Sequence, residues 1–145
     1  MSEDIGTELP DDLFETLYMV DPSEQDGTAV VVTTVDPEGW SHPALLSYRE
    51  VAARDRKTIR VVTFNGTRTT TNMRENSKLT LIFIDPTMVY YVKGTAKEIP
   101  AARAGHSNNF ATMDISITRV LADFPGEGEE AARITSGITF TLPSS

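Results

Sequence analysis

The apolar positions keep two different rhythms along the chain. Near the start, Leu13, Phe14, Leu17 and Tyr18 recur at helical spacing behind Pro10, Asp11 and Asp12. Pro and Asp suit a helix start, where backbone N–H groups have no partner within the helix. The spacing predicts one amphipathic helix over about 10–19. Residues 21–27 are polar and turn-forming and read as a link between this helix and the first strand.

From Thr28 onward β-branched residues set a period of two. The runs 28–35 and 40–51 flank Asp36-Pro37-Glu38-Gly39 and predict a hairpin. A second turn over 54–57 leads into 58–64, a third strand. The run 79–84 is apolar almost without a break and stops at Asp85-Pro86, whereas 89–99 alternates apolar residues with Lys93, Thr95 and Lys97. Both read as strands. Residues 100–109 suggest a loop or weak helix, and 110–122 and 134–142 resume the β pattern. Several short strands with hairpin turns and few helices predict a mostly β chain, built as an antiparallel barrel and not as a parallel α/β sheet.

A chain of 145 residues suits one domain, 1–145, with the barrel over about 28–142. The formal charge of -8 repels phosphate backbones and argues against nucleic-acid binding, although a local basic spot still suffices for a small anion. With no cysteine and two histidines, thiolate chemistry is excluded and no metal site is expected. No apolar run near the acidic start has the length of a signal peptide or a membrane span, so no membrane partner and a cytoplasmic location are the expectation.

Candidate chemistry lies between the third and fourth predicted strands, in Asn65-Gly66-Thr67-Arg68-Thr69-Thr70-Thr71-Asn72-Met73-Arg74. Gly66 permits an unusual backbone angle, the threonines offer hydroxyls and a cap, and a helix starting here would aim free N–H groups at the loop. Arg68 adds a planar fork of donors that matches two phosphate oxygens. An anion cradle and a plain capped turn with a solvated arginine both account for this stretch.

In order and spacing, five stretches resemble the pyridoxamine-phosphate-oxidase-like, FMN-binding split-barrel family. They are 40–48 with Trp40, His42 and Pro43, then 60–64, the loop Thr67-Arg68-Thr69 with Asn72-Met73-Arg74, 79–83, and 90–94. Residues 134–138 are similar to small bacterial members. The resemblance implies a six-stranded antiparallel split barrel with Greek-key character and a few short helices. It implies a homodimer with FMN at the interface. Leu45, Leu46, Ser47 and Tyr48 would run beside the flavin ring, Thr63 and Phe64 would line the same groove, and Thr67, Arg68 and Thr69 would hold the phosphate, with Asn72 as a further candidate.

The sequence also departs from that family. Thr69 stands where the oxidases carry a lysine, and Ala44 where an arginine is expected. FMN phosphate binding would then be weaker unless Arg74, Arg60 or a partner residue compensates. No arginine occurs in 137–145, where true oxidases bind pyridoxal phosphate, so the resemblance implies a member with another substrate.

Other conspicuous residues carry blander readings. His42 and His106 read as structural or solvent-facing, and Trp40, Tyr90 and Tyr91 as interface or barrel filling before flavin stacking. Glu127, Glu129 and Glu130 read as a solvated loop. There is no Ser-His-Asp pattern and no glycine-rich nucleotide fingerprint. The function expected is an FMN-dependent oxidoreductase acting on a small redox substrate, with no catalytic side chain singled out. Ser47, Tyr48 and Thr63 would tune the ring and Arg68 would anchor it. The alternatives are a deazaflavin- or haem-binding split barrel and a non-catalytic flavin carrier.

Overall fold

The computed structural model describes residues 2–18, 27–100, 108–124 and 132–141. Among them are β1 (Ser2–Gly6), α1 (Asp11–Leu17), β2 (Ala29–Val35), β3 (Ser41–Ser47), β4 (Val51–Asp55), β5 (Thr58–Phe64), α2 (Arg68–Glu75), β6 (Lys78–Asp85), β7 (Met88–Ile99) and β8 (Phe110–Asp123). A 3-10 turn at Tyr48–Glu50 joins β3 to β4.

The strands pair in the order β3-β2-β6-β7-β8-β5-β4, all antiparallel, and β1 adds to the far half of β8. Connectivity forces curvature on this sheet. Strands β3 and β4 end the path, and a flat sheet would hold them roughly 29 Å apart at about 4.8 Å per strand. Yet three residues join them, a link that spans about 14 Å at most. The sheet therefore curls until its edges approach, and the gap left unpaired between β3 and β4 is the split of the barrel.

Alternate residues face inward: Val30 and Val32 of β2, Ile59 and Val61 of β5, Leu79, Leu81 and Phe83 of β6, and Ala111, Met113 and Ile115 of β8 are all buried. Helix α1 buries Leu13 and Leu17 at one mouth, where Arg56 stacks over Phe14 at 4.5 Å and pairs with Asp11 at 2.8 Å. Helix α2 buries Met73, and it packs against β2, β3, β5 and β7 at the opposite mouth. No helix among the described residues is long and apolar enough to cross a membrane.

The mostly β antiparallel split barrel is the expected fold, with local differences. Eight strands replace six partly because the predicted strand 40–51 is broken at Tyr48. There Ser47 and Glu50 form a capping box, with Ser47 N–H and Oγ donating to Glu50 at 3.0 and 3.1 Å. The other reason is β1, which has no apolar alternation and forms by pairing with β8. The helix expected over 10–19 ends at Leu17. Of the strand expected over 134–142, the described residues 134–141 form only an isolated bridge, Thr28 to Thr139, and leave Ile134, Ile138 and Phe140 exposed. His106, Glu127, Glu129 and Glu130, the predicted link over 21–26 and most of the predicted loop, 101–107, lie outside the described residues.

Candidate functional site

The loop between β5 and α2 turns through Asn65 and Gly66. Gly66 has φ of +85°, a region that L side chains avoid. Thr67 is the N-cap of α2, and its hydroxyl accepts the Thr70 N–H at 3.3 Å. The Thr70 hydroxyl is fully buried, donates to the Phe64 carbonyl at 2.7 Å and lies 2.7 Å from the Thr63 hydroxyl. Thr71 donates to the Thr67 carbonyl. These hydroxyls are occupied in holding the loop's shape.

Arg68 and Thr69 differ from their neighbours. Their backbone N–H groups belong to the first helical turn and have no backbone acceptor. Neither side chain has a hydrogen-bond partner among the described residues. Two adjacent residues thus offer two free N–H groups, a free guanidinium and a free hydroxyl beside the positive end of a helix.

The two arginines that could replace the missing charges are already engaged. Arg60 makes a fork to Asp114 at 2.8 and 3.1 Å. Arg74 makes one to Glu98 at 2.8 Å on both arms and also bonds Asn65. These bonds raise both guanidinium pKa values and lower that of Glu98. Within one chain the exposed, unpaired cation of this loop is Arg68.

The other candidates divide by exposure. Leu45 points outward from β3 and is 51% exposed, and Phe64 is 57% exposed at the end of β5, with its ring 4.8 Å from Phe110. Leu46 points into the core, and Thr63 and Asn72 are buried, Asn72 donating to Thr34 at 3.0 Å. Ser47 is committed to its cap. Tyr48 lies at the far end of β3, 9% exposed, its ring 6.2 Å from Phe83, and burial and the nearby Asp85 charge push its pKa up to about 12. The α2 mouth therefore gathers Thr63, Phe64, Thr67, Arg68, Thr69 and Asn72, whereas Leu45 to Tyr48 run away from it along β3.

An apolar surface feature goes beyond the residues that the sequence pattern singles out. Leu45 faces Val31, Val31 faces Ile82, Ile82 faces Tyr91 and Tyr91 faces Leu121, so one apolar row crosses five strands on the outer surface. Its signal lies in Val30-Val31-Val32 and Leu81-Ile82-Phe83, which are apolar on both faces. Of the conspicuous aromatics, Trp40 is 70% exposed, Tyr91 bonds Asp123, and Tyr90 ties the sheet to α1 through Asp12. His42 is half-buried opposite Thr34. A cavity of about 420 Å3 opens at the α1 mouth, away from Arg68.

The profile of the family described as pyridoxamine 5'-phosphate oxidase matches residues 23–120. An uncharacterized Bacillus subtilis protein, YclD, is 28% identical over 138 residues, covering 94% of this chain and 85% of its own length. Among solved structures, a candidate pyridoxamine 5'-phosphate oxidase from Lactobacillus delbrueckii superposes with a TM-score of 0.62 at 15% identity, over 81% of this chain and 98% of its own. An FMN-binding protein from Syntrophomonas wolfei gives 0.55 at 16%, over 78% and 87%. Similar folds also include an F420 reductase, with a TM-score of 0.53 at 14% identity, over 66% of this chain and 90% of its own.

Proposed function

This chain belongs to the pyridoxamine 5'-phosphate oxidase family, and on that premise we propose that it is an FMN-binding oxidoreductase acting on a small redox substrate. The observation that carries the reading is the pair Arg68 and Thr69, whose donors have no partner among the described residues and belong to one helix start. A dianionic phosphate fits that donor set, because each charge-assisted bond contributes about 1.5 to 3 kcal/mol. Buried Thr63 and Thr70 hold the loop in register, Thr67 caps it, and Leu45 and Phe64 offer exposed apolar contact to a planar ring.

FMN, when bound, supplies the electron transfer, and the chain supplies the anchor and the groove. That division fits a site in which the described residues form no acid-base cluster. The groove is completed by a second copy of the chain, seated on the row from Leu45 to Leu121, since an apolar band of this kind on an outer sheet face suits a partner.

The absorption spectrum of the purified protein tests the cofactor. Paired flavin bands support FMN. A single near-violet band would move the assignment to a deazaflavin, the reading favoured by the similarity to an F420 reductase, and a Soret band would move it to haem. A colourless protein that takes up no added FMN overturns the flavin reading.

A further inference from the structure

The recess at the α1 mouth is separate from Arg68 and takes no part in holding the flavin phosphate. Asp12, Tyr48, Asp85, Pro86, Met88 and Gly137 contribute to its lining. Tyr48 is 9% exposed, and its hydroxyl has no hydrogen-bond partner among the described residues. Among the described residues the buried polar atoms without a partner are Asn72 Oδ1 and Thr112 Oγ1, so the Tyr48 hydroxyl keeps its access to the recess, where a ligand atom can reach it.

Charge identifies the sign of that ligand. Among the described residues two carboxylates line the recess and no lysine, arginine or histidine does. The Asp85 Oδ1 atom accepts three bonds, from Thr87 N–H and Oγ1 at 2.7 Å and Met88 N–H at 2.9 Å, leaving Oδ2 without a partner among the described residues. Asp12 accepts the Tyr90 hydroxyl at 2.8 and 3.0 Å on its two oxygens and contributes the second carboxylate of the lining. Among the described residues no three acidic or imidazole groups converge closely enough to hold a metal ion. The Tyr48 ring, Pro86 and Met88 supply apolar wall, so the recess suits a cation with a hydrocarbon body.

We propose that this recess binds a small alkylammonium, its NH3+ group donating to Asp85 Oδ2 and Tyr48 Oη and its methylene chain lying along Met88. The volume of about 420 Å3 accommodates a four-carbon diamine.

Calorimetric titration of the full chain, carrying whatever cofactor it retains, tests this with 1,4-diaminobutane and n-butylamine as probes and n-butanol as the neutral control. Both amines are expected to bind at least about tenfold tighter than the alcohol, the margin of a charge-assisted bond. Asp85→Asn keeps Oδ1 for the turn and removes the charge, and it should weaken amine binding about tenfold. Tyr48→Phe keeps the ring and should weaken it severalfold, and it carries the test if Asp85→Asn does not fold. Arg68→Ala should leave amine affinity unchanged, which separates this recess from the flavin reading. Equal affinity for amine and alcohol overturns the proposal, as does no heat at millimolar amine or full affinity in a folded Asp85→Asn.

Discussion

Arg74 grips Glu98 with two parallel bonds of 2.8 Å, which fastens the outer side of α2 to β7. Arg68, six residues earlier on the same helix, has no such partner. The two arginines should therefore respond oppositely to removal. Arg68→Ala should weaken FMN binding by at least about 1.5 kcal/mol, roughly tenfold, without loss of stability. Arg74→Ala should leave FMN affinity unchanged and cost less than about 1 kcal/mol of stability, since both partners are around 40% exposed. Flavin titration and urea unfolding of both variants check this, and equal effects on affinity would refute the assignment of the anchor.

The same pair sets a pH dependence. The hydrogen bond from Arg74 holds Glu98 below the ordinary carboxylate range. A lowered folded-state pKa gives stability that is present above the unfolded value, about 4.3, and is lost as pH falls through the folded value. Unfolding free energy should therefore decline on acidification below about pH 4.5, and Glu98→Gln should flatten that slope.

Buried Tyr48 works at the other end of the scale. Its pKa rises to about 12, from burial first and Asp85 second. The neutral form is favoured in the folded chain, so this stability is complete below pH 10 and is lost between about 10 and 12. The contribution is on the order of 2 kcal/mol. Alkaline unfolding followed by circular dichroism should begin at higher pH in Tyr48→Phe, and an unchanged midpoint would count against the raised Tyr48 pKa.

Much of this architecture was legible in the chain because strands with one buried face alternate. The strand 58–64 and the alternating run 89–99 follow from that, the hairpin of 28–35 with 40–51 from the turn at 36–39, and 79–84 from an unbroken apolar run that stops at Asp85-Pro86. What escaped depends on partners distant in sequence. Ser2 to Gly6 is polar and becomes a strand by pairing with 120–123 of β8. Residues 134–142 carry the residues of a strand, and the described part of them forms an isolated bridge. The break at Tyr48 was readable in Ser47-Tyr48-Arg49-Glu50, a capping-box pattern, yet the apolar run on either side masked it. In the candidate site, the anion-binding character of the Arg68 loop was visible. That Thr70 is structural, while Arg68 and Thr69 keep their donors, required the fold.

Gly94 marks a constraint on the barrel itself. It sits at the register shift between β7 and β8, and a Cβ there would lie 2.6 Å from the Ser116 carbonyl oxygen and 2.7 Å from the Ile115 side chain. Backbone cannot yield as a flexible side chain would, so Gly94→Ala should destabilise by about 1 to 3 kcal/mol. Urea unfolding measures this, and a neutral substitution would mean that the two strands can part locally.

The outer row makes the last prediction. Ile82 stands at its centre, half-buried and flanked by Val31 and Tyr91. If a second copy covers this row, a lysine at Ile82 would place an unpaired charge in a dry interface twice over, at about 3 kcal/mol or more per copy. The monomer would lose little, because the lysine stem could lie along the sheet with its ammonium in water. Ile82→Lys should therefore shift the mass seen by light scattering from two chains to one while the melting of secondary structure persists. FMN affinity should fall with it, since the groove is proposed to need both copies. A variant that remains dimeric would place the interface elsewhere, and a monomeric variant with full flavin affinity would confine the cofactor to one chain.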